Sequence, residues 1–221
     1  MSTSSSLGGP APTATVIHYG RRTAREGFVL GGIFMAMGAF FVALAVVITA
    51  GLNGNEPQPV GLIALLFATI GYSGFKIFRS ALSHYHLAVS IDDTGMWLRT
   101  RTRQSVIRWD TLAGVAVYWS ETDKRGGRRY SIELCPSGPI DRDDPVLWIL
   151  VRDEEPIRPG LPRLRYSFVT NGSSARYREP LVEAIRQHVP HLWLGEMQRE
   201  PGHCGVPNYE GHRERTTDTV R

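Results

Sequence analysis

Two long apolar runs near the N-terminus constrain the fold of this 221-residue chain more than any other feature. Residues 28–50 contain no charged side chain, and residues 60–75 are also uncharged. A helix needs about 20 predominantly apolar residues to cross roughly 30 Å of hydrocarbon. The second run reaches this length if Lys76 extends its ammonium to the interface. The sequence therefore predicts two spanning helices, at about 28–50 and 60–79, rather than a cleaved signal peptide or two buried helices of a soluble protein.

The linker between the runs sets the expected topology. Residues 52–59 reach at most about 27 Å at roughly 3.3 Å each, so the two helices form an antiparallel hairpin, which we assign to residues 21–83. The linker carries no Lys or Arg, whereas basic residues flank the other end of both helices: Arg21, Arg22, Arg25, Lys76 and Arg79. Because positive flanks stay cytoplasmic, we expect a multi-pass protein of the cell (inner) membrane with both termini in the cytoplasm.

The charge of the rest of the chain argues against a nucleic-acid partner. The net charge is +4 overall, but residues 80–221 hold twenty basic and nineteen acidic side chains. Within that part, residues 96–129 are basic and residues 130–155 are acidic. Cys135 and Cys204 form no CxxC pair and are expected to be free thiols in a reducing cytoplasm.

The soluble part reads as one mainly-β domain, at residues 84–197, between two disordered segments, residues 1–20 and 198–221. Alternating apolar residues lead into the turn signal Asp92-Asp93-Thr94-Gly95, which predicts a β-hairpin. Pro180 opens a segment with helical spacing that Pro190 ends. Further strands are predicted at residues 105–109, 114–120, 129–136, 146–152 and 164–170. An antiparallel sheet closed by one C-terminal helix is the expected architecture.

This layout resembles bacterial two-helix membrane proteins that carry a pleckstrin-homology-like (PH-like) domain. The resemblance covers residues 85–197 and rests on the segments VSIDDTGMWLRTR, SVIRWDTLAGVAVYW and ARYREPLVEAIRQHVPHLW. It implies a β-barrel or sandwich whose open end is plugged by the last helix. One departure is the region 142–161, which is longer and richer in acid and proline than the resemblance implies.

Two basic segments are the candidate ligand contacts. The alternation of the second strand places Arg99, Arg101 and Arg103 on one face, where guanidiniums can bind lipid phosphates bidentately. PH domains of eukaryotes hold phosphoinositides near this hairpin with basic residues, so the resemblance points the same way. A basic loop adds Lys124, Arg125, Arg128 and Arg129. The alternatives are a solvated strand face that discourages edge pairing and an ordinary solvent loop.

The sequence gives less support for a metal site or a catalytic site. The acidic residues Asp141, Asp143, Asp144, Asp153, Glu154 and Glu155 lack EF-hand spacing, and the seven histidines lack the spacing of a zinc site. The sequence contains no G-x-S-x-G and no H-E-x-x-H motif. Within the apolar runs, small residues four apart, such as Gly27 and Gly31, suit helix packing inside the hairpin or in a homo-oligomer.

These features predict a non-catalytic binding or scaffolding domain held at the cytoplasmic face of a membrane, with no cofactor and no metal. Its expected partners are the lipid bilayer, through anionic lipid, and an unidentified membrane or cytoplasmic protein. An accessory subunit recognised through its transmembrane helices is the alternative, and an enzyme is the third.

Overall fold

The computed structural model describes residues 8–50, 61–122, 127–154, 158–201, 203 and 205–218. The chain divides into two compact units, a helical hairpin over Gly20–Leu87 and a β unit formed by Met1–Tyr19 together with Ala88–Arg221. The N-terminal segment thus belongs to the β unit, although the hairpin separates the two in sequence.

The hairpin unit consists of two long helices, α1 (Arg21–Thr49) and α2 (Gly61–Tyr85). Both are long and apolar enough to cross a membrane. This confirms the two predicted apolar helices, while the linker between them lies outside the described residues. Each helix extends past its apolar run at the basic end, since residues such as Arg, Ala and Glu favour helix.

Small residues form the seam between α1 and α2. The buried residues of α1 are Ala24, Gly31, Gly38 and Ala45, which recur every seven positions. A seven-residue repeat keeps one face of a helix against its partner along the whole contact. At Gly38 an added Cβ would lie 2.6 Å from the Gly71 Cα, so the backbones touch there. Phe41 and Phe67 stack with ring centroids 4.1 Å apart.

The β unit contains two sheets. The first has four antiparallel strands in chain order, β1 (Thr15–Ile17), β2 (Ala88–Ile91), β3 (Gly95–Arg99) and β4 (Gln104–Arg108). The second is built from β5 (Leu112–Glu121), β6 (Arg128–Pro136), β7 (Val151–Asp153), β8 (Leu164–Val169) and β9 (Trp193–Gln198). Its order is β7-β8-β6-β5-β9, with β9 parallel to β5 and the other neighbours antiparallel.

Helix α3 (Arg178–His188) completes the core. Its buried residues Leu181, Ala184 and Ile185 join one apolar cluster with both sheets, and this cluster also contains Ile91, Ile107, Val117, Ile132 and Phe168. The predicted β-rich domain with a C-terminal helix is therefore present. The described strands form two separate sheets rather than a closed barrel.

Both segments predicted to be disordered contain regular structure. Residues 15–17 form β1, pair with β2 and bury Ile17 in the core. Helix α4 (Tyr209–Asp218) lies in the C-terminal segment. Its His212 ring stacks on the Trp148 ring at 3.9 Å, and the Arg215 Nε lies 2.9 Å from the Asp143 carboxylate. Tertiary contacts therefore order segments that are too short and too polar to show a pattern of their own.

The strand predicted at residues 146–152 is wrong over most of its length. The Asp144 carboxylate accepts hydrogen bonds from the backbone N–H groups of Val146 and Leu147, at 2.8 and 2.7 Å. These bonds close a turn, which continues into a short 3-10 helix at Trp148–Leu150. The strand β7 is then limited to Val151–Asp153.

Candidate functional site

The three arginines predicted on one strand face lie at the end of β3 and in the turn that follows. Strand β3 ends at Arg99, so the prediction that Arg101 and Arg103 continue its face is wrong. Thr100 fixes the turn, because its backbone N–H donates to the Arg103 carbonyl at 2.8 Å and its hydroxyl accepts from the Arg103 N–H at 3.1 Å. All three arginine side chains are exposed, which leaves them available to an anionic ligand.

The second basic group lies on the β5–β6 hairpin of the other sheet. Arg128 and Arg129 begin β6 and are exposed, while Lys124 and Arg125 fall outside the described residues. The Arg128 guanidinium lies 4.3 Å from the centre of the Trp119 ring, a cation–π contact that holds its position. The structure thus places the two predicted groups on different sheets.

A buried network of charged groups, absent from the sequence-based predictions, lies on the five-stranded sheet. The Arg165 guanidinium contacts the carboxylates of Glu133 and Glu154, at 2.5 Å in each case. The side chains of Arg165 and Glu133 are 1% and 3% exposed. Both occupy the face opposite the apolar core, because they alternate along β8 and β6 with core residues such as Ile132 and Tyr166.

The described residues 199–201, 203 and 205, which we call the C-terminal strap, cover this network. Arg199 contacts Glu133 at 3.0 Å and Glu154 at 3.5 Å, and the His203 ring lies 3.1 Å from Glu154. The Ser120 hydroxyl donates to the His203 carbonyl at 2.5 Å. The network therefore fastens the strap to the sheet.

The space beneath the strap is small. A cavity of about 20 Å³ is lined by residues that include Tyr118, Ser131, Ser167 and Arg199. This volume is enough for one water molecule but not for an organic ligand. The arrangement is that of a structural ion network, in which each charge has an opposite partner.

Two ionisable groups near this network have shifted pKa values, the Cys135 thiol and the Arg152 guanidinium. Burial raises the pKa of the Cys135 thiol to about 11, with the Glu133 charge adding to the effect. The thiol therefore stays protonated at neutral pH and is a poor nucleophile. Burial also lowers the pKa of the Arg152 guanidinium, which is held by the carbonyls of Ile149, Val151 and Gly205.

The acidic residues weighed as a cation site have separate partners. Asp144 accepts a hydrogen bond from the Ser105 hydroxyl, Asp153 lies beside Arg163, and Asp143 contacts His212 and Arg215. In the described part of the chain, no group of three or more His, Cys, Asp or Glu side chains could hold a metal ion. Glu155 lies outside the described residues.

A second polar centre lies at the β2–β3 turn. One oxygen of the Asp92 carboxylate accepts from the backbone N–H of Ala11 and from the Trp97 indole N–H, both at 2.9 Å. The other accepts from the N–H groups of Thr94 and Gly95. Burial raises the pKa of Asp92, but these hydrogen bonds outweigh it and leave the pKa below its ordinary value. The centre therefore joins the N-terminal segment to the sheet.

No family model, curated protein or solved structure matches the chain. Its function is therefore inferred from its own residues.

Proposed function

We propose that this chain is a two-span membrane protein that displays its β unit at the cytoplasmic face as a non-catalytic binding or scaffolding module. The observation that carries the proposal is the charge distribution around α1 and α2. Two helices long and apolar enough to span a bilayer share one basic end, and the linker that joins their other ends holds no Lys or Arg. Positive flanks favour the cytoplasmic side.

The ligand that we propose for the β unit is anionic lipid. Arg99, Arg101 and Arg103 project from one turn, and Arg128 and Arg129 from one hairpin. Basic side chains gain about 1 kcal/mol each near an anionic leaflet. The tether raises the concentration of the β unit at that surface, so that a few weak contacts suffice. Two sheets that share one apolar core with helix α3 support the PH-like resemblance in part, and strand β9 after α3 is an addition to it.

Hydrogen exchange on the full chain tests this proposal. The chain is placed in nanodiscs of phosphatidylcholine alone or with phosphatidylglycerol, and exchange is measured over residues 99–103 and 128–131. We expect slower exchange in the anionic discs, and we expect the difference to vanish when Arg99, Arg101 and Arg103 are all changed to Glu. Equal exchange in both kinds of disc contradicts the lipid contact.

A matched control separates a specific contact from general charge. Arg158, Arg176 and Arg213 are exposed arginines elsewhere on the β unit. Their change to Glu alters the net charge by the same amount and is expected to leave the protection of residues 99–103 intact. An equal loss of protection in both triple variants contradicts a role for the β3–β4 turn.

A second candidate function is that of an accessory subunit recognised through its helices. Gly32 supports it, because an added Cβ at Gly32 would meet nothing within 4 Å, so this side of α1 is open to another helix. Large apolar side chains such as Val29, Ile33 and Leu62 are also exposed on the hairpin. Exchange of the hairpin for an unrelated one distinguishes the two functions: loss of partner capture in membranes supports recognition by the helices.

A further inference from the structure

A crevice between α1 and α2 lies at the basic end of the hairpin. It has a volume of about 370 Å³ and is lined by Thr23, Gly27, Lys76, Ile77, Ser80, Ala81 and His84. Gly27 and Ala81 keep the two helices close here, since an added Cβ on Gly27 would lie 2.8 Å from the Ala81 Cβ. The small side chains leave the groove open beside them.

The seam contacts fix the depth of Lys76. An added Cβ on Gly31 would lie 2.8 Å from the Gly74 carbonyl oxygen and 2.9 Å from the Phe78 backbone nitrogen, so Gly31 is level with the helical turn between these two residues. Lys76 is the middle residue of that turn. It therefore lies near the level of Gly31, within the uncharged run that begins at Phe28.

Lys76 has no carboxylate partner among the described residues of the hairpin. Residues 20–50 and 61–87 contain a single acidic side chain, Glu26, and this forms an ion pair with Arg22 at 2.8 Å. The ammonium of Lys76 lies 5.2 Å from the centre of the Tyr72 ring. An ionisable side chain at membrane depth usually has a partner or a function. The partner that Lys76 lacks among the described residues of the hairpin is a negatively charged group.

Two more polar side chains follow Lys76 along the same face of α2. Ser80 and His84 lie four and eight residues further on, a spacing that aligns them on one side of the helix. The His84 Nδ1 lies 2.8 Å from the Ser80 carbonyl oxygen and must donate to it, because a carbonyl only accepts. These groups lead from Lys76 to the end of the hairpin where Arg21, Arg25 and Arg79 are found.

We propose that this crevice binds one anionic glycerophospholipid. Its phosphate lies against the Lys76 ammonium, and one acyl chain follows the apolar floor beside Gly27 and Ile77. A phosphate supplies the missing negative charge, and a membrane lipid reaches the groove from the side. The proposal rests on the membrane insertion of the hairpin and is independent of the arginine contacts on the β unit.

Native mass spectrometry of the full chain tests the proposal. The chain is released from micelles that contain dioleoylphosphatidylglycerol, and retention of one lipid is titrated for wild type, Lys76→Gln and Arg79→Gln. One basic residue near an anionic lipid accounts for about 1 kcal/mol, so we expect retention about fivefold weaker in Lys76→Gln. Arg79→Gln removes the same charge three residues away, outside the lining of the crevice, and should change retention less than twofold.

Several results would overturn the proposal. One is an equal loss of lipid retention in Lys76→Gln and Arg79→Gln, and another is unchanged retention in Lys76→Gln. A third is that the wild-type chain retains dioleoylphosphatidylcholine as well as it retains dioleoylphosphatidylglycerol. Millimolar sn-glycerol 3-phosphate should not displace the lipid; displacement would show a site for phosphate alone and would overturn the acyl-chain contact.

Two further measurements separate this proposal from the proposed function. Changing Arg99, Arg101 and Arg103 to Glu should leave retention of the single lipid unchanged, and a loss there would assign the lipid to the β unit instead. Recovery of the full chain in the soluble fraction without detergent would overturn both proposals together, because neither survives without membrane insertion.

Discussion

At the scale of single residues, Asp92 shows how one side chain can join distant segments. Its carboxylate accepts four hydrogen bonds, and its backbone carbonyl accepts a fifth from the Trp109 indole at 2.7 Å. The side chain therefore ties together the N-terminal segment, the β2–β3 turn and Trp97. The sequence predicted the turn from Asp92-Asp93-Thr94-Gly95 but gave no sign of the partner at Ala11, which is 81 residues away.

We expect Asp92→Asn to lower the free energy of unfolding of the β unit by about 2 kcal/mol. The amide offers one acceptor oxygen where the carboxylate has two, so the N–H groups of Trp97 and Ala11 face an NH2 group and lose their acceptor. A buried donor without a partner costs about 1–3 kcal/mol. All five tryptophans lie in the β unit, so urea unfolding of the full chain in detergent, followed by tryptophan fluorescence, reports on this unit alone.

Asp93→Asn is the matched control, because the Asp93 side chain is 99% exposed and its contact is with His188. Its effect should be much smaller than that of Asp92→Asn.

The effect of Asp92→Asn should also depend on pH. Because the folded pKa of Asp92 lies below its ordinary value of 3.8, its charge stabilises the fold above that pH. This contribution disappears as the pH falls through the folded value, so the two proteins should converge in stability below about pH 4. A constant difference down to pH 2.5 contradicts this account.

The Glu133–Arg165 ion pair is buried between two strands of the five-stranded sheet. The two residues are 32 positions apart, and each lies in a segment predicted as a strand. Their contact depends on β6 lying next to β8, and strand order is not visible in a single sequence. The alternation of apolar and polar residues along each strand, taken alone, suggests that Glu133 and Arg165 face solvent. In the structure the strap covers this face.

We expect Glu133→Gln to destabilise the β unit by about 3 kcal/mol, since removal of one partner of a buried ion pair leaves the other charge uncompensated. Glu154 still contacts Arg165, which places the effect at the lower end of the usual range. Asp153→Asn removes a charge from an exposed pair with Arg163 and should cost far less. The same urea titration measures both, and equal effects would show that the buried network contributes no more than a surface pair.

At the scale of elements, predictions succeeded where a pattern is long or has a strong local signal. The apolar runs of α1 and α2, the turn signal between β2 and β3, and the proline-bounded segment of α3 all form the expected structure. Strands β1 and β9 and helix α4 were not predicted. They are short or polar, and contacts distant in sequence order them: β1 with β2, β9 with β5, and α4 with Trp148.

The seam of the hairpin depends on the close backbone contact between Gly38 and Gly71. Gly38→Leu should separate α1 from α2, because the added side chain would meet the Gly71 backbone, which cannot move aside as a side chain can. We expect the distance between spin labels at residues 30 and 82 to increase by on the order of 2 Å, as the helices return to an ordinary interaxial distance. The labels are attached to cysteines in a chain with Cys135 and Cys204 changed to alanine.

Gly32→Leu is the matched control for this measurement. It makes the same substitution six residues away on α1, where an added Cβ meets nothing within 4 Å. The label distance should stay at its wild-type value. The same shift in both variants would mean that helix propensity or micelle packing, and not the glycine seam, sets the separation of the helices.

For the molecule as a whole, the side of the membrane that we propose for the β unit follows from the arrangement of positive charge along the chain. The bias is one-sided: residues 1–79 contain five basic side chains, and all five lie at the end of the hairpin opposite the linker. Positive residues within about 15–20 positions of a span set its orientation. We therefore expect that two epitope tags, one fused before Met1 and one after Arg221, are both protected from protease added outside intact cells.

Moving the positive charge should reverse this orientation. Changing Arg21, Arg22 and Arg25 to Gln, and Asn53, Asn55 and Gln58 to Arg, transfers three charges from the basic end to the linker. Because the charge bias of the short flanking segments sets orientation, both tags of this variant should become accessible from outside in a substantial fraction of molecules. A variant with the three linker arginines and the native Arg21, Arg22 and Arg25 is the control, in which the bias is weakened but not reversed. If the tags of the wild-type chain are cleaved from outside, the placement of the β unit in the cytoplasm is wrong. If the reversed variant keeps its tags protected, the charge of these flanking segments does not set the topology.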